Sequence, residues 1–333
     1  MFDSTDDTMR DRIEASTIKF WLLTRTDRRT LTGGISIAVF LTLIAISTVS
    51  PAPMRRVIEA TDALWWVFSP MLTAIITAVA LVVTFTQLVL SQELGALGDQ
   101  RERMEEAVDF RNDVESTLAI QIAPPDPASF LAALLESVQH ITSELEASVD
   151  GETDEKAEQV REFADTVFEN ARTIRTSLED AQFGTFDVVA ASLQFNYSKD
   201  IYEARKLRIK HSGDWNEETE NSLDSIVTVL EFYGTTREHL KTLYFQWELI
   251  NLSRAMLYAS IPALVVALSM LLYVDSTAVP GSTLGIDNIV WLVCAAVTVT
   301  LLPFFLLISY VLRIASVAKR TLAIGPFVLR EIE

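Results

Sequence analysis

Threonine side chains recur on one face of a long uncharged segment in the first third of the chain. Thr73, Thr77 and Thr84 lie four and seven residues apart, a spacing that places them on one side of an α-helix. With Gln87 they would line a polar pore if several copies of the chain assembled around a common axis. The alternative is that the threonine hydroxyls bond carbonyl groups of their own helix or of a neighbouring helix.

Two clusters of ionisable residues stand out further along. Glu136, His140 and Glu144 share a helix face and could offer ligands to a metal ion, although a solvated polar stripe explains the spacing equally well. The second cluster is basic and could contact phosphate, lipid headgroups or an acidic surface. Its alternative is that cations gather at the carboxyl end of a helix, where the helix dipole favours them. The basic cluster consists of Arg205, Lys206, Arg208 and Lys210, with His211 beside them.

Motifs of known enzyme chemistry are missing from the sequence. It has no glycine-rich phosphate loop, no paired cysteines, no His-Glu-x-x-His helix and no Gly-x-Ser-x-Gly turn, and its 3 histidines are scattered. We therefore expect a protein that is not an enzyme and that holds neither a metal ion nor a cofactor. Nucleic acid is not expected as a partner, because no aromatic platform accompanies the basic residues.

Four stretches without a charged residue are long enough to cross a lipid bilayer as helices, which takes about 20 apolar residues. Aromatic residues near their ends, such as Trp65 and Tyr273, are typical of the headgroup level. Gly33–Ser50 could instead be a cleaved signal peptide, but the long aspartate-containing segment before it disfavours this reading. The predicted spans are 31–52, 63–92, 255–274 and 288–312.

Basic residues predict the orientation of these spans. Arginine and lysine cluster in 1–30, before the first span, and in 313–333, after the last, whereas the loop 275–287 has none. Because positively charged flanks stay in the cytoplasm, we expect a multi-pass protein of the cell membrane with both termini inside. The segment 12–25 mixes basic and apolar side chains, which suits a helix lying in the membrane interface.

The segment between the second and third spans is predicted to be helical almost throughout. Apolar residues recur there at three- and four-residue steps, as in Leu131, Leu134 and Val138. Asp126 followed by Pro127 is a typical helix start. The turn residues divide the segment into helices near 93–121, 127–149, 154–183, 186–211 and 217–251.

These observations predict an all-α fold with four transmembrane helices and a cytoplasmic antiparallel helical bundle. Its lone cysteine, Cys294, lies inside a span, so no intrachain disulfide is expected. In chain order we expect a cytoplasmic N-terminal segment 1–30 with an interfacial helix, transmembrane helices one and two in 31–92, an acidic cytoplasmic helical domain 93–254, transmembrane helices three and four in 255–312, and a cytoplasmic tail 313–333.

The excess of negative charge lies in the acidic domain. The chain carries 45 aspartates and glutamates against 27 lysines and arginines, and lysine is scarce among the bases. This composition predicts a halophilic protein. In molar salt the screening length falls to about 3 Å, so the like charges of the acidic domain repel one another little.

One stretch of the sequence carries a resemblance to a known group of proteins. Phe85–Gly95, FTQLVLSQELG, and its continuation LGDQRERME from Leu97 to Glu105 resemble uncharacterised multi-pass membrane proteins of haloarchaea. The similarity covers about a tenth of the chain and implies an archaeal source, but no activity or ligand. The order of two spans, a helical domain and two further spans is also similar to bestrophin-like anion channels, whose motifs are not matched residue by residue.

Two functions follow from these predictions. The first is a non-enzymatic scaffold or signal-relaying protein, in which unbroken helices at 92–103 and 247–255 carry movement between the acidic domain and the spans, with Gly95 and Gly98 as hinges or tight packing sites. The second is a homo-oligomeric ion channel whose pore is lined by the second span. The expected partners are the lipid bilayer, further copies of the chain and a cytoplasmic protein.

Overall fold

A computed structural model describes residues 28–179, 181, 186–211 and 213–320, which are almost entirely helical. This confirms the all-α expectation, whereas the interfacial helix predicted for 12–25 lies outside the described residues. In chain order the elements are α1 (Arg28–Val49), α2 (Met54–Thr61), α3 (Ala63–Glu93), α4 (Leu97–Thr117), α5 (Pro127–Ser148), α6 (Glu155–Glu179), α7 (Phe186–Ser192), α8 (Tyr197–Lys210), α9 (Glu217–Tyr273), β1 (Ser282–Thr283), β2 (Ile286–Asp287) and α10 (Asn288–Arg320).

The chain divides into two compact units. The apolar unit contains residues 28–94 and Gln246–Ser316, and the acidic unit contains Gly95–Phe245. Helix α9 therefore supplies its first part to the acidic unit and its second part to the apolar unit.

Four helices among the described residues are long and apolar enough to cross a membrane. They are α1, α3, α9 and α10, and they coincide with the four uncharged stretches of the sequence. A helix satisfies its backbone polar groups internally, which is what a segment must do to cross the hydrocarbon core. Their shared core includes Ile44, Phe68, Ala267, Ile289 and Cys294.

A small hairpin connects α9 to α10. Strand β1 pairs antiparallel with β2, and the two turn residues, Leu284 and Gly285, both have positive φ angles of 54° and 79°. This is the backbone of the tight turn whose twist matches that of the two strands.

The acidic unit packs α5 and α6 against α7, α8 and the first part of α9. The predicted start of α5 is confirmed, because the Asp126 carboxylate accepts a hydrogen bond from the backbone N–H of Ser129 at 2.9 Å and Pro127 occupies the first turn. The apolar stripe predicted on α6 is also confirmed. Its buried members are Ala157, Val160, Phe163, Ala164, Val167, Ala171, Ile174 and Leu178.

The predicted continuous helix at 92–103 is wrong. Helix α3 ends at Glu93, Leu94 and Ala96 have extended ψ angles of 115° and 157°, and α4 starts at Leu97. Glycine has the lowest helix propensity after proline, and Gly95 lies in the middle of the break. Gly98 falls inside α4, where its surroundings are open.

The single helix predicted for 186–211 is also wrong, because residues 193–196 separate α7 from α8. The break allows two aromatic rings to reach Tyr233 of α9. The Phe195 ring meets it edge-on with 5.1 Å between centroids, and the Tyr197 ring lies 6.2 Å away. The buried Tyr233 hydroxyl donates to the Ser192 carbonyl at 2.9 Å. Aromatic packing and this hydrogen bond thus outweigh the helical preference of the segment.

Gly234 of α9 gives a test of this packing. A Cβ added there would lie 2.5 Å from Cε2 and 2.8 Å from Cζ of Tyr197, which is buried against Arg237 with 4.5 Å between guanidinium and ring centroid. Gly234→Ala should therefore destabilise the acidic unit by about 1 to 3 kcal/mol through overpacking, although glycine-to-alanine changes normally stabilise a helix. Hydrogen exchange of peptides from α8 and early α9, followed by mass spectrometry, measures the effect.

The control is Gly98→Ala, since a Cβ at that position of α4 meets nothing within 4 Å. It should leave protection unchanged or raise it slightly. Unchanged or stronger protection in Gly234→Ala would contradict the tight contact with Tyr197.

Candidate functional site in the apolar unit

The four predicted pore residues lie on one side of α3 and are all exposed in the single chain. The opposite side of the helix is packed, and Phe68 and Ile75 on that side are fully buried. The predicted face is therefore open to lipid, to water or to a second chain. Its residues are Thr73, Thr77, Thr84 and Gln87.

Threonine hydroxyls on this face bond to their own helix. Thr77 donates to the Thr73 carbonyl at 2.8 Å, and Thr84 donates to the Ala80 carbonyl at 2.9 Å. The local bonding that the sequence left open as an alternative is thus present, and these two hydroxyls do not require water.

A buried ion pair joins the start of α1 to the middle of α9. Nη2 of Arg28 donates to Oε1 of Glu248. Only 5% of the Glu248 side chain and 19% of the Arg28 side chain are exposed. The Arg28 guanidinium also lies over the ring of Tyr310 in α10, 4.9 Å from its centroid. Three helices meet at this pair.

Further buried polar groups lie on two of the same helices. Arg313 of α10 is buried, and so are the hydroxyls of Thr32 and Ser309, which lie 3.2 Å apart. A charge removed from water is costly unless it is paired, so this arrangement fixes the helices that carry it. We call the three residues joined by the ion pair and the ring contact, Arg28, Glu248 and Tyr310, the ionic cluster.

Sequence reasoning missed the ionic cluster. Arg28 looks like a charged flank of a span, and Glu248 belongs to no motif. A signal exists nonetheless, because Glu248 is the only acidic residue between Glu238 and Asp275, within a largely apolar run. The sequence does not supply the partner, which lies 220 positions away.

A second arginine organises the loop between α9 and α10. Arg55 of α2 donates to both carboxylate oxygens of Asp287, each at 2.7 Å, and also to the carbonyls of Ser276, Ala278 and Val279. These bonds to Arg55 hold the pKa of Asp287 below its ordinary value. Because Arg55 bonds both oxygens of the Asp287 carboxylate, it fixes the position of the loop.

The basic cluster on α8 is engaged within the acidic unit. Its side chains pair with groups on α8 itself, α6 and α9, and two of them lie in the last turn of α8, where the helix dipole favours cations. Contact with an anion or a lipid stays a prediction. The pairs are Arg205 with Glu231 at 2.9 Å, Lys206 with Glu203 at 2.9 Å, Arg208 with Asp224, and Lys210 with Gln159 at 3.0 Å.

The glutamates and histidine on α5 behave as a solvated stripe. His140 Nε2 lies 3.4 Å from Oε1 of Glu144, and Glu136 lies 3.7 Å from Arg175 on α6. The Glu136, His140 and Glu144 side chains are exposed. Within the part of the chain that the structure describes, no group of three or more His, Cys, Asp or Glu residues is placed to hold a metal ion.

Comparison with known proteins identifies a family. A family of unknown function, DUF7972, matches residues 2–333. The chain belongs to DUF7972. No curated protein and no solved structure matches the chain. Membership of DUF7972 agrees with the expected family of unknown function, and the resemblance to bestrophin-like channels stays one of architecture.

Glu248→Ala tests the ionic cluster in this DUF7972 member. Removal of the carboxylate leaves arginine charge buried, so the free energy of unfolding should fall by about 3 to 5 kcal/mol. Glu231→Ala is the matched control, because Glu231 also lies on α9 and pairs with an arginine, Arg205 of α8, but its side chain is 55% exposed. Its loss should be about 0 to 1 kcal/mol. Thermal unfolding of the detergent-purified protein measures both, and equal losses would contradict a special role for the buried pair.

Proposed function

We propose that this protein is a non-enzymatic integral membrane protein that relays movement between a cytoplasmic helical domain, the acidic unit, and four transmembrane helices. The observation that carries the proposal is the continuity of α9. One helix, unbroken over 57 residues, supplies core residues to both units.

Helix α9 is firmly packed within each unit. In the acidic unit Ile226 and Leu230 are fully buried, and in the apolar unit Met256, Ala263 and Ala267 are fully buried. Except at Pro262, the backbone N–H groups within α9 can bond the carbonyl four residues earlier, so the part of the helix between the two units, before Pro262, resists local bending. A displacement of its packed first part would therefore act on its packed second part.

The connection between α3 and α4 differs in kind. Residues 94–96 are not helical, and Gly95 lies among them, so this link can flex where α9 cannot. Of the two predicted helical connections, only the one at 247–255 supports the proposal.

The ionic cluster would set the resting position of α9. Glu248 lies on α9, and its buried pair with Arg28 ties that helix to α1. Any movement of α9 that separates the pair leaves charge without its partner at a cost of several kcal/mol. A relay built in this way has two discrete positions rather than a continuous range.

The remaining parts of the proposal rest on the sequence. Basic flanks favour cytoplasmic termini and a cytoplasmic acidic unit in the cell membrane. A cytoplasmic protein partner would supply the signal, or would be held there if the protein is a scaffold. The acidic composition fits a salt-rich, archaeal cytoplasm.

A coupling experiment tests the relay. Leu230→Ala removes a fully buried side chain from the acidic unit and should cost it about 2 to 5 kcal/mol. If α9 transmits the change, hydrogen exchange in 246–256 of α9 should accelerate by about fivefold or more. Insertion of Gly-Gly-Ser after Phe245 should abolish this response.

The matched control is the same insertion after Gly95, which lies in an existing break and should leave the response intact. Far-UV circular dichroism checks that each variant is helical. A response that survives insertion after Phe245, or that never occurs, would exclude transmission through α9.

The second candidate function is a homo-oligomeric ion channel lined by α3. The exposure of Thr73, Thr77, Thr84 and Gln87 favours it. A pore requires this face to be wet, so Thr77→Cys and Thr84→Cys in a Cys294→Ala background should react with a membrane-impermeant thiol reagent in vesicles. Absence of reaction at both positions would count against a channel.

A further inference from the structure

A groove in the acidic unit lies between α5 and the first turns of α9. Its volume is about 480 Å³, which is within the usual range of small-molecule sites. Glu144 of α5 lines one wall, and Glu217 and Glu218 of α9 line the other. Among the described residues, none of those that line the groove is basic. We call this feature the acidic groove.

Hydrogen bonds hold the two walls of the acidic groove together. The hydroxyls of Ser148 and Thr219 lie 2.7 Å apart, and the Asn216 amide donates to the Ser148 carbonyl at 3.1 Å. Next to the groove-lining residues, Leu145 of α5 and Leu223 of α9 are buried in the core of the unit. Packing and hydrogen bonds therefore fix α5 and α9 on either side of the groove.

Ser222 lines the acidic groove with a hydroxyl that has no partner. It lies between Glu218 and Ser225 at steps of four and three residues, so its side chain points into the groove that all three line. Only 7% of Ser222 is exposed, and its hydroxyl bonds no group within the part of the chain that the structure describes. By contrast, Thr228 and Thr235 of α9 donate to the carbonyl four residues earlier. A buried polar group without a partner is costly, so Ser222 points to a ligand that bonds it.

Helix stability explains only part of this arrangement. Carboxylates in the first turn of a helix interact favourably with its dipole, and Glu217, Glu218 and Glu220 all lie in the first turn of α9. The dipole of α9 does not account for Glu144, which lies on α5, or for the buried hydroxyl of Ser222. These two groups share only the groove.

The lining favours an organic cation over a metal ion. An ammonium group has three hydrogen-bond donors and no acceptor, and the carboxylates, the Ser222 hydroxyl and the Asn221 amide oxygen all accept. No group of three or more His, Cys, Asp or Glu residues in the described ranges is placed to hold a metal ion. Carboxylates on two walls suit a ligand that carries more than one charge. The partly buried Ile141 offers an apolar surface for the methylene groups between those charges.

We propose that the acidic groove binds a linear polyamine. Its ammonium groups pair with Glu144, Glu217 and Glu218, and one of them donates to the Ser222 hydroxyl. The inference goes beyond the relay and does not depend on it, because every residue of the groove lies within the acidic unit.

Isothermal titration of the detergent-purified full chain with spermidine tests the site, in potassium chloride at which far-UV circular dichroism shows a folded protein. Binding should saturate at one spermidine per chain. Ser222→Ala should weaken it about tenfold, because the ammonium group loses a buried acceptor. Glu218→Gln should weaken it about threefold, because one exposed charge pair is lost.

The matched control is Glu220→Gln, which removes the same charge from the same turn of α9 at a residue that does not line the groove. It should leave the affinity within about twofold of the unchanged protein. Equal losses in Glu218→Gln and Glu220→Gln would show diffuse attraction to an acidic surface and overturn the proposal. Absence of saturable binding, or unchanged affinity in Ser222→Ala, would overturn it too. Titration with magnesium chloride alone should show no binding that depends on Ser222, and such binding would assign the groove to a metal ion instead.

Discussion

Backbone hydrogen bonding is the constraint on which this structure depends. A helix satisfies nearly all of its backbone donors and acceptors internally, so one helix can pass from apolar to aqueous surroundings without a change in its backbone. Helix α9 has the length and pattern for this: it runs over 57 residues, and its side chains change from a mixed pattern in its first part to an apolar one in its second. A link through irregular backbone, as at residues 94–96, would provide no such stiffness.

Charge is used differently in the two units. In the acidic unit, ion pairs such as Arg205 with Glu231 are exposed and contribute little individually. In the apolar unit, few charges occur, and the pair of Arg28 and Glu248 is buried between helices. Breaking such a pair is costly, which gives the apolar unit preferred positions for α1, α9 and α10. A relay needs discrete positions of this kind, and a scaffold benefits from the same rigidity.

Periodicity and the lack of charge predict most of the fold. The four apolar helices, the buried stripe on α6 and the cap at Asp126 follow from local sequence, because each depends on neighbours within one or two turns. The breaks at 94–96 and 193–196 do not follow in the same way. The second depends on contacts of Phe195 and Tyr197 with Tyr233, which lies in a different helix. The need for glycine at position 234 likewise depends on a distant residue, because the Tyr197 ring that it contacts lies more than thirty positions away.

The candidate site shows the same limit. The threonine face of α3 is evident from spacing, but the ionic cluster combines α1, α9 and α10, so its partners emerge only from the fold. The stiffness of α9 across residues 245 and 246, on which the relay depends, can be measured directly with spin labels at His239 and Arg254, both exposed, in a Cys294→Ala background. Fifteen helical residues separate the two backbones by about 22 Å. If α9 is stiff at this point, the distance distribution should be narrow and near that value, widened only by the label arms. A broad or shorter distribution would show a flexible joint and contradict the relay.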